Sequence, residues 1–157
     1  MFRDITTLLT DADGLRDAMQ MMAAPYHDAG VDIIVGIEAR GFIFGPPIAE
    51  KLGAGFVPIR KRGKLPGKTI EQDYELEYGS DVIEIHDDAI TPGQKVLLVD
   101  DLIATGGTAE AAIKLLRRID ADIIGAAFAI DLPDLGGCAR LEADGIKCHA
   151  LVQFEGE

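Results

Sequence analysis

Short uninterrupted hydrophobic runs alternate along this chain with segments whose apolar positions recur at helical spacing. A hydrophobic run without polar alternation is typical of a parallel strand that is covered on both faces. The pattern predicts strands at residues 31–37, 56–59, 96–99, 123–130 and 148–154.

Three segments predict helices. Residues 41–52 follow the first strand, and Pro46 and Pro47 are acceptable there only near a helical first turn. The Ala- and Leu-rich segment 109–119 has apolar residues at helical spacing. An earlier amphipathic helix is predicted by apolar residues at the same spacing, and it is disturbed near Pro25. The core residues of that helix are Leu15, Ala18, Met19, Met22 and Tyr26.

Apolar and polar residues alternate on both sides of the Gly79-Ser80 turn, which predicts a half-exposed β-hairpin. The alternating apolar residues are Tyr74, Leu76, Tyr78, Ile83 and Ile85. Strands that alternate with helices predict a single doubly wound α/β domain with a mainly parallel central sheet. The hairpin is an excursion from that sheet.

Composition agrees with one domain. The chain has 157 residues, 48% of them hydrophobic, which is enough for a proper core. We expect a cytoplasmic protein, because no segment has the ~20 apolar residues of a membrane span and the start lacks the pattern of a secretory signal. Cys138 and Cys148 have neither CxxC spacing nor nearby histidine pairs, so we expect reduced thiols and no zinc site or disulfide.

The charge distribution indicates the kind of partner. A formal net charge of −12 argues against nucleic acid or an anionic membrane as a partner. Five cations nevertheless crowd into one short segment, which favours binding of a small polyanion there. The alternative is a solvated basic loop that pairs with acidic neighbours. The five cations are Arg60, Lys61, Arg62, Lys64 and Lys68.

The segment 96–108, VLLVDDLIATGGT, places a buried strand, two carboxylates and a glycine/threonine turn in succession. Ligands of open α/β sheets bind at the carboxyl ends of the strands. The glycines and the helix start after them suit an oxyanion, whereas Asp100 and Asp101 can accept hydrogen bonds from vicinal hydroxyls and hold Mg²⁺ through water. The site is therefore interpreted as one for a phosphate with a diol attached. A solvated strand end followed by a plain turn is the alternative.

This motif resembles that of the type I phosphoribosyltransferases, which bind 5-phosphoribosyl-1-pyrophosphate (PRPP) at a hydrophobic strand, an acidic pair and a T-G-G-T loop. The resemblance continues through the segments 2–5, 36–42, 58–67 and 74–79. It implies the type I phosphoribosyltransferase fold over residues 1–157. A β-hairpin flap at 62–80 and a small hood near 1–10 and 131–157 belong to that expectation.

Within the family the chain looks like the members that use adenine. The resemblance implies Mg²⁺-dependent transfer of 5-phosphoribosyl from PRPP to adenine, with AMP and pyrophosphate as products and a homodimer as the assembly. Two alternatives remain open. One is transfer to another base, such as xanthine or hypoxanthine, and the other is a non-catalytic regulator that senses PRPP.

The resemblance also assigns roles to residues. Asp100 and Asp101 would bind the ribose hydroxyls, and the 5′-phosphate would lie on Ala104, Thr105, Gly106, Gly107 and Thr108. The pyrophosphate residues would be Glu38, Ala39, Arg40, Arg60, Lys61 and Lys64. In the family the loop at Glu38 can carry a cis peptide bond that does not involve proline.

Two further groups are implied near the reacting atoms. Glu77 and Tyr78 of the flap, together with Arg40, would be catalytic, although hairpin packing and a solvated strand face are equally good explanations of Tyr78 and Glu77. Adenine would lie against Phe2, Arg3 and Leu132. Family members usually have a further segment with a proline and a glycine before the position of Phe2. Three explanations stay open for its absence here: a start codon assigned too late, a trimmed chain, or a more open adenine hood.

Overall fold

A computed structural model describes residues 5–76 and 78–155 of the chain. These residues form five α-helices and seven strands, each numbered in chain order. The helices are α1 (Thr6–Thr10), α2 (Ala12–Ala23), α3 (Gly41–Leu52), α4 (Gly107–Arg118) and α5 (Gly137–Ala143). The strands are β1 (Ile33–Ile37), β2 (Gly55–Lys61), β3 (Thr69–Glu75), β4 (Ser80–His86), β5 (Lys95–Ile103), β6 (Asp122–Asp131) and β7 (Cys148–Gln153).

The seven strands form one sheet in the order β3-β4-β2-β1-β5-β6-β7. Four neighbouring pairs are parallel: β2 with β1, β1 with β5, β5 with β6, and β6 with β7. Strand β4 is antiparallel to both β2 and β3. The predicted doubly wound domain and its hairpin are therefore confirmed. Strand β5 is longer than predicted and includes the two aspartates.

The central strands are covered on both faces. Val35 and Leu98 face a core that includes Ile113 of α4, and their neighbours Ile34 and Leu97 face a second core under α2 and α3. All five side chains are fully buried. Burial of both faces explains why β1 and β5 have uninterrupted hydrophobic runs rather than alternation.

The Phe56 ring fixes how closely α3 approaches the sheet. A Cβ atom at Gly45 of α3 would lie 2.3 Å from Phe56 Cε2, and one at Gly36 of β1 would lie 2.8 Å from the same atom. The ring therefore occupies the space that two side chains would need. Pro46 and Pro47 follow in the second turn of α3, not near its first turn as expected, because the helix begins at Gly41.

The expectation of two reduced thiols is wrong. Cys138 of α5 and Cys148 of β7 form a disulfide, with their Cα atoms 5.5 Å apart. The chain turns back between α5 and β7, and this brings together two cysteines that the sequence separates by 10 positions. Among the helices of the described residues, none has the length and apolar character needed to cross a membrane.

Candidate active site

Asp100 and Asp101 lie in the last part of β5, where the parallel strands end. Asp101 is 4% exposed, and its Oδ2 accepts a hydrogen bond of 2.5 Å from Arg40 Nε. The Asp101 N–H donates to Asp100 Oδ1 at 2.8 Å. Burial, followed by the adjacent Asp101 carboxylate, raises the pKa of Asp100 well above its usual value. Donors from a ligand at this position would stabilise the charged form of Asp100.

The phosphate loop, residues 104–108, joins β5 to the first turn of α4. Gly106 precedes the helix with a φ of +87°, in the left-handed region that favours glycine. The first N–H groups of a helix have no partners within it, and the helix dipole is positive at that end. This loop can therefore hold a phosphate with backbone donors.

Helix α5 supports the phosphate loop from outside. The Gly137 N–H donates to the Ala104 carbonyl oxygen at 3.0 Å. Arg140 donates from Nη1 to the Thr105 carbonyl oxygen at 3.5 Å and from Nε to Glu110 Oε2 at 2.5 Å. These contacts join residues 30 or more positions apart in the chain, so no local sequence pattern indicated them.

The loop after β1 has the cis peptide bond between Glu38 and Ala39 that the resemblance allowed. Gly41 follows at the start of α3, close to the acidic pair. A Cβ atom at Gly41 would lie 3.0 Å from the Val99 carbonyl oxygen and 3.2 Å from Asp100 Oδ1. Glycine at this position lets the loop that carries Arg40 approach the end of β5.

The Glu38 carboxylate contacts basic residues at the end of β2 and just after it. Its Oε1 accepts the Lys61 N–H at 2.9 Å and a hydrogen bond from Arg60 Nε at 3.2 Å, and its Oε2 pairs with Lys64 Nζ. Burial alone would raise the pKa of Glu38, but the hydrogen bonds from Lys64 and Lys61 outweigh it and lower the pKa. Glu38 therefore positions basic groups.

A second carboxylate, Glu84 of β4, holds the start of the flap and was not identified from the sequence. It is 2% exposed, and its Oε1 accepts the N–H groups of Lys64 and Leu65 at 3.1 and 2.8 Å. Burial would raise the pKa of Glu84, but the hydrogen bonds from the N–H groups of Leu65, Gly63 and Lys64 lower it. The basic segment is thus fixed by two carboxylates, Glu38 and Glu84.

One cavity of about 360 Å³ unites most of the predicted residues. Its lining includes the loop after β1, the Lys61 side of β2, the acidic pair and the whole phosphate loop. Tyr74 and Phe128 also line it, although the sequence assigned neither of them to the site. The predicted residues in the lining are Glu38, Ala39, Arg40, Lys61, Asp100, Asp101, Ala104, Thr105, Gly106, Gly107 and Thr108.

The other predicted residues lie outside this lining. Arg60 and Lys64 contact Glu38, one of the lining residues. Leu132 is buried, and its N–H donates to the Ile103 carbonyl oxygen at 3.0 Å. Tyr78 lies at the turn of the hairpin and is 88% exposed. The predictions for Phe2, Arg3 and Glu77 fall outside the described residues.

The model of the phosphoribosyl transferase domain family matches residues 6–142. Adenine phosphoribosyltransferase of Roseobacter denitrificans is 62% identical over 156 residues, which are 99% of this chain and 89% of that protein.

Two solved structures are also similar. The crystal structure of adenine phosphoribosyltransferase from Rhodothermus marinus has a TM-score of 0.93 and 48% identity, and the match covers 98% of this chain and 87% of that one. The enzyme of Trypanosoma brucei, in complex with AMP, pyrophosphate and ribose-5-phosphate, has a TM-score of 0.89 and 27% identity over 97% of this chain and 69% of that one.

Proposed function

Because the chain belongs to the phosphoribosyl transferase domain family, we propose that its cavity transfers the 5-phosphoribosyl group of PRPP to adenine, with AMP and pyrophosphate as products. The chain is 62% identical to an adenine phosphoribosyltransferase over nearly its full length. The observation that carries the proposal is the cavity in which the acidic pair, the phosphate loop and Arg40 meet. These three parts match the hydroxyls, the 5′-phosphate and the pyrophosphate of one PRPP molecule.

The 5′-phosphate lies on the phosphate loop in this proposal, where the N–H groups of the loop and the first turn of α4 donate to it. Thr105 and Thr108 add hydroxyl donors. The carboxylates of Asp100 and Asp101 accept hydrogen bonds from the two ribose hydroxyls. Several contacts at both ends of the sugar orient its anomeric carbon, and orientation is a large part of catalysis in group transfer.

Pyrophosphate is held by Arg40, Arg60, Lys61 and Lys64. In the structure these cations already have carboxylate partners within the chain: Arg40 pairs with Asp101, and Arg60 and Lys64 pair with Glu38. Binding of pyrophosphate therefore exchanges partners of positioned cations. Those cations stabilise the negative charge that develops on pyrophosphate as its bond to the anomeric carbon breaks.

The acidic pair fits a magnesium ion that is also bound by substrate. The described residues contain no cluster of three or more His, Cys, Asp or Glu side chains that could hold a metal ion. Mg²⁺ usually keeps several waters and binds through one or two carboxylates and the substrate's phosphates, which is the donor set that Asp100, Asp101 and PRPP offer. When bound, Mg²⁺ supplies charge that stabilises the departing pyrophosphate.

The base and the flap complete the proposal. Adenine lies between the hood residues Phe2, Arg3 and Leu132, and its N9 attacks the anomeric carbon. The flap closes so that water is excluded from the carbon while it has positive character, and Glu77 and Tyr78 approach the base. Glu77 holds or accepts the proton that N9 loses.

We propose a homodimer and a cytoplasmic location for the working enzyme.

The test is formation of AMP and pyrophosphate by the purified chain with PRPP and Mg²⁺. Adenine, hypoxanthine, guanine, xanthine and orotate are offered in parallel. Product with adenine alone is the expected result. Product with a different base would retain the transfer chemistry and refute the adenine assignment. Binding of PRPP without product from any base would instead identify a PRPP sensor.

A further inference from the structure

Lys61 is held by two residues of the hairpin that the proposed reaction does not use. Tyr74 of β3 and Asp81 of β4 are directly opposite each other in the antiparallel pair. Lys61 Nζ donates to Tyr74 Oη at 2.7 Å and also pairs with the Asp81 carboxylate. The ammonium lies 5.4 Å from the centre of the Tyr74 ring. One cation thus links β2 to both strands of the hairpin.

The same side chain faces the proposed site, because Lys61 and Tyr74 both line the cavity that contains Arg40 and the acidic pair. An ammonium has three N–H donors, and Tyr74 and Asp81 take two of them. The hydrogen bonds to Asp81 and Tyr74 outweigh partial burial and raise the pKa of Lys61. The lysine therefore stays charged while its charge is offset by Asp81.

Asp81 and pyrophosphate are both anions that can form an ion pair with Lys61. Asp81 is 35% exposed and Lys61 is 38% exposed, so water can compete for this ion pair and its strength is modest. A polyanion in the cavity can draw the ammonium away from Asp81. When that polyanion leaves, the Asp81 carboxylate can pair with the Lys61 ammonium again.

We propose that Asp81, assisted by Tyr74, is a positioning residue that competes with pyrophosphate for Lys61 and so promotes pyrophosphate release. The inference rests on the proposed function, since it takes pyrophosphate to be the anion that Lys61 meets. It assigns Asp81 a role in product release. Because the competing carboxylate is on the hairpin, the return of Lys61 also re-forms the side-chain link between β2 and the hairpin.

The test measures the dissociation constant of magnesium pyrophosphate by calorimetry, with and without AMP, at one fixed ionic strength. The variants are Asp81→Asn, Tyr74→Phe, Lys61→Met and the double variant Lys61→Met/Asp81→Asn. Asparagine keeps an oxygen that can accept the Val82 N–H, as Asp81 Oδ1 does at 2.8 Å. Asp73→Asn is the matched control, since Asp73 is an exposed carboxylate of the same hairpin.

We expect Asp81→Asn to tighten pyrophosphate binding by roughly two- to fivefold, the range of an exposed ion pair. Tyr74→Phe should act in the same direction and more weakly, and Asp73→Asn should have no effect. The decisive comparison uses the Lys61→Met background, where Asp81→Asn should no longer change the dissociation constant.

Weaker or unchanged binding in Asp81→Asn would overturn the inference, and so would an equal effect of Asp81→Asn in the presence and absence of Lys61. The second result would mean that Asp81 acts only through its general negative charge. If the wild-type protein binds no pyrophosphate under either condition, the pyrophosphate assignment fails and the inference fails with it. Measurable wild-type binding thus separates failure of the inference from failure of the proposed function.

Discussion

The Gly137 N–H donates to the Ala104 carbonyl oxygen at 3.0 Å, and this hydrogen bond docks α5 on the phosphate loop. A Cβ atom at Gly137 would lie 2.6 Å from that oxygen and 2.6 Å from Ile103 Cγ1. The loop therefore depends on a helix that contributes no residue to the lining of the proposed PRPP cavity.

Substitution of Gly137 should disturb PRPP binding. In Gly137→Ala the new methyl group forces the Ala104 carbonyl away, because real Cβ atoms do not approach a backbone oxygen so closely. We expect the KM for PRPP to rise about tenfold or more and the KM for adenine to change little. Steady-state kinetics with each substrate varied in turn checks this. Ala139→Ser, at an exposed position of the same helix, is the control.

Arg140→Leu should weaken the same support more gently. It removes the hydrogen bonds to Thr105 O and Glu110 Oε2 and leaves the backbone contact of α5 intact. The Arg140 side chain is half exposed, so we expect only about a two- to fivefold increase in the KM for PRPP. Arg16→Leu on α2 removes a comparable exposed pair with Asp13 and should leave that KM unchanged. Equal effects of the two variants would contradict a specific role for Arg140.

The disulfide should stabilise α5. Thiol titration of the unfolded, unreduced protein is expected to find no free cysteine, since Cys138 and Cys148 are paired. The variant Cys138→Ser/Cys148→Ser should lose roughly 2–3 kcal/mol of unfolding free energy, the range for a short closed loop. Denaturant unfolding with and without reductant measures the difference. Two titratable thiols in the unreduced protein would refute the pairing.

The acidic pair should be essential for turnover and not for folding. Asp100→Asn/Asp101→Asn keeps the shape of both side chains. It removes the negative charge of the two carboxylates that are proposed to accept hydrogen bonds from the ribose hydroxyls. We expect kcat/KM for PRPP to fall about 100-fold or more, with a far-ultraviolet circular dichroism spectrum like that of the wild type. Asp122→Asn, at the exposed start of β6, is the control. Near-normal activity of the double variant would refute the proposed site.

The protonation of Glu84 should make the free energy of unfolding depend on pH in the acidic range. Its pKa is lower in the folded than in the unfolded chain, so its contribution is complete above the unfolded pKa of about 4.3 and is lost as the pH falls through the folded pKa. Glu84→Gln should cost roughly 1–3 kcal/mol at pH 7, and the difference from wild type should shrink below about pH 4.3. Urea unfolding at several pH values measures this. Glu50→Gln on α3 supplies an exposed control.

Much of the fold could be predicted because its signals are local. Central strands buried on both faces leave runs such as Val96 to Val99, and the glycine/threonine turn follows immediately at the start of α4. For the same reason, the sequence could predict that the residues from Asp100 to Thr108 lie together at one end of β5. Such a segment has the same neighbours in the sequence and in the fold.

Contacts between distant residues could not be predicted in this way. Asp81 meets Tyr74 because of the register of an antiparallel pair, and Glu84 meets the flap because β4 lies beside β2. The pairing of Cys138 with Cys148 depends on how α5 turns back toward β7. Hydrophobic periodicity defines elements, but it contains no information about which polar side chains a register places together.

The Phe56 ring has a consequence for how this chain can change during evolution. At Gly45 the ring alone fills the space, so a larger residue there becomes acceptable only once position 56 has become smaller. A Cβ atom at Gly36 would also lie 2.9 Å from the Gly41 carbonyl oxygen, so a smaller residue at 56 does not make room for it. A smaller residue at 56 alone would leave a void under α3. The first substitution along either route is therefore harmful until the second follows. Homologues should therefore vary at positions 45 and 56 together, exchanges at one of the two alone should be rare, and position 36 should stay glycine.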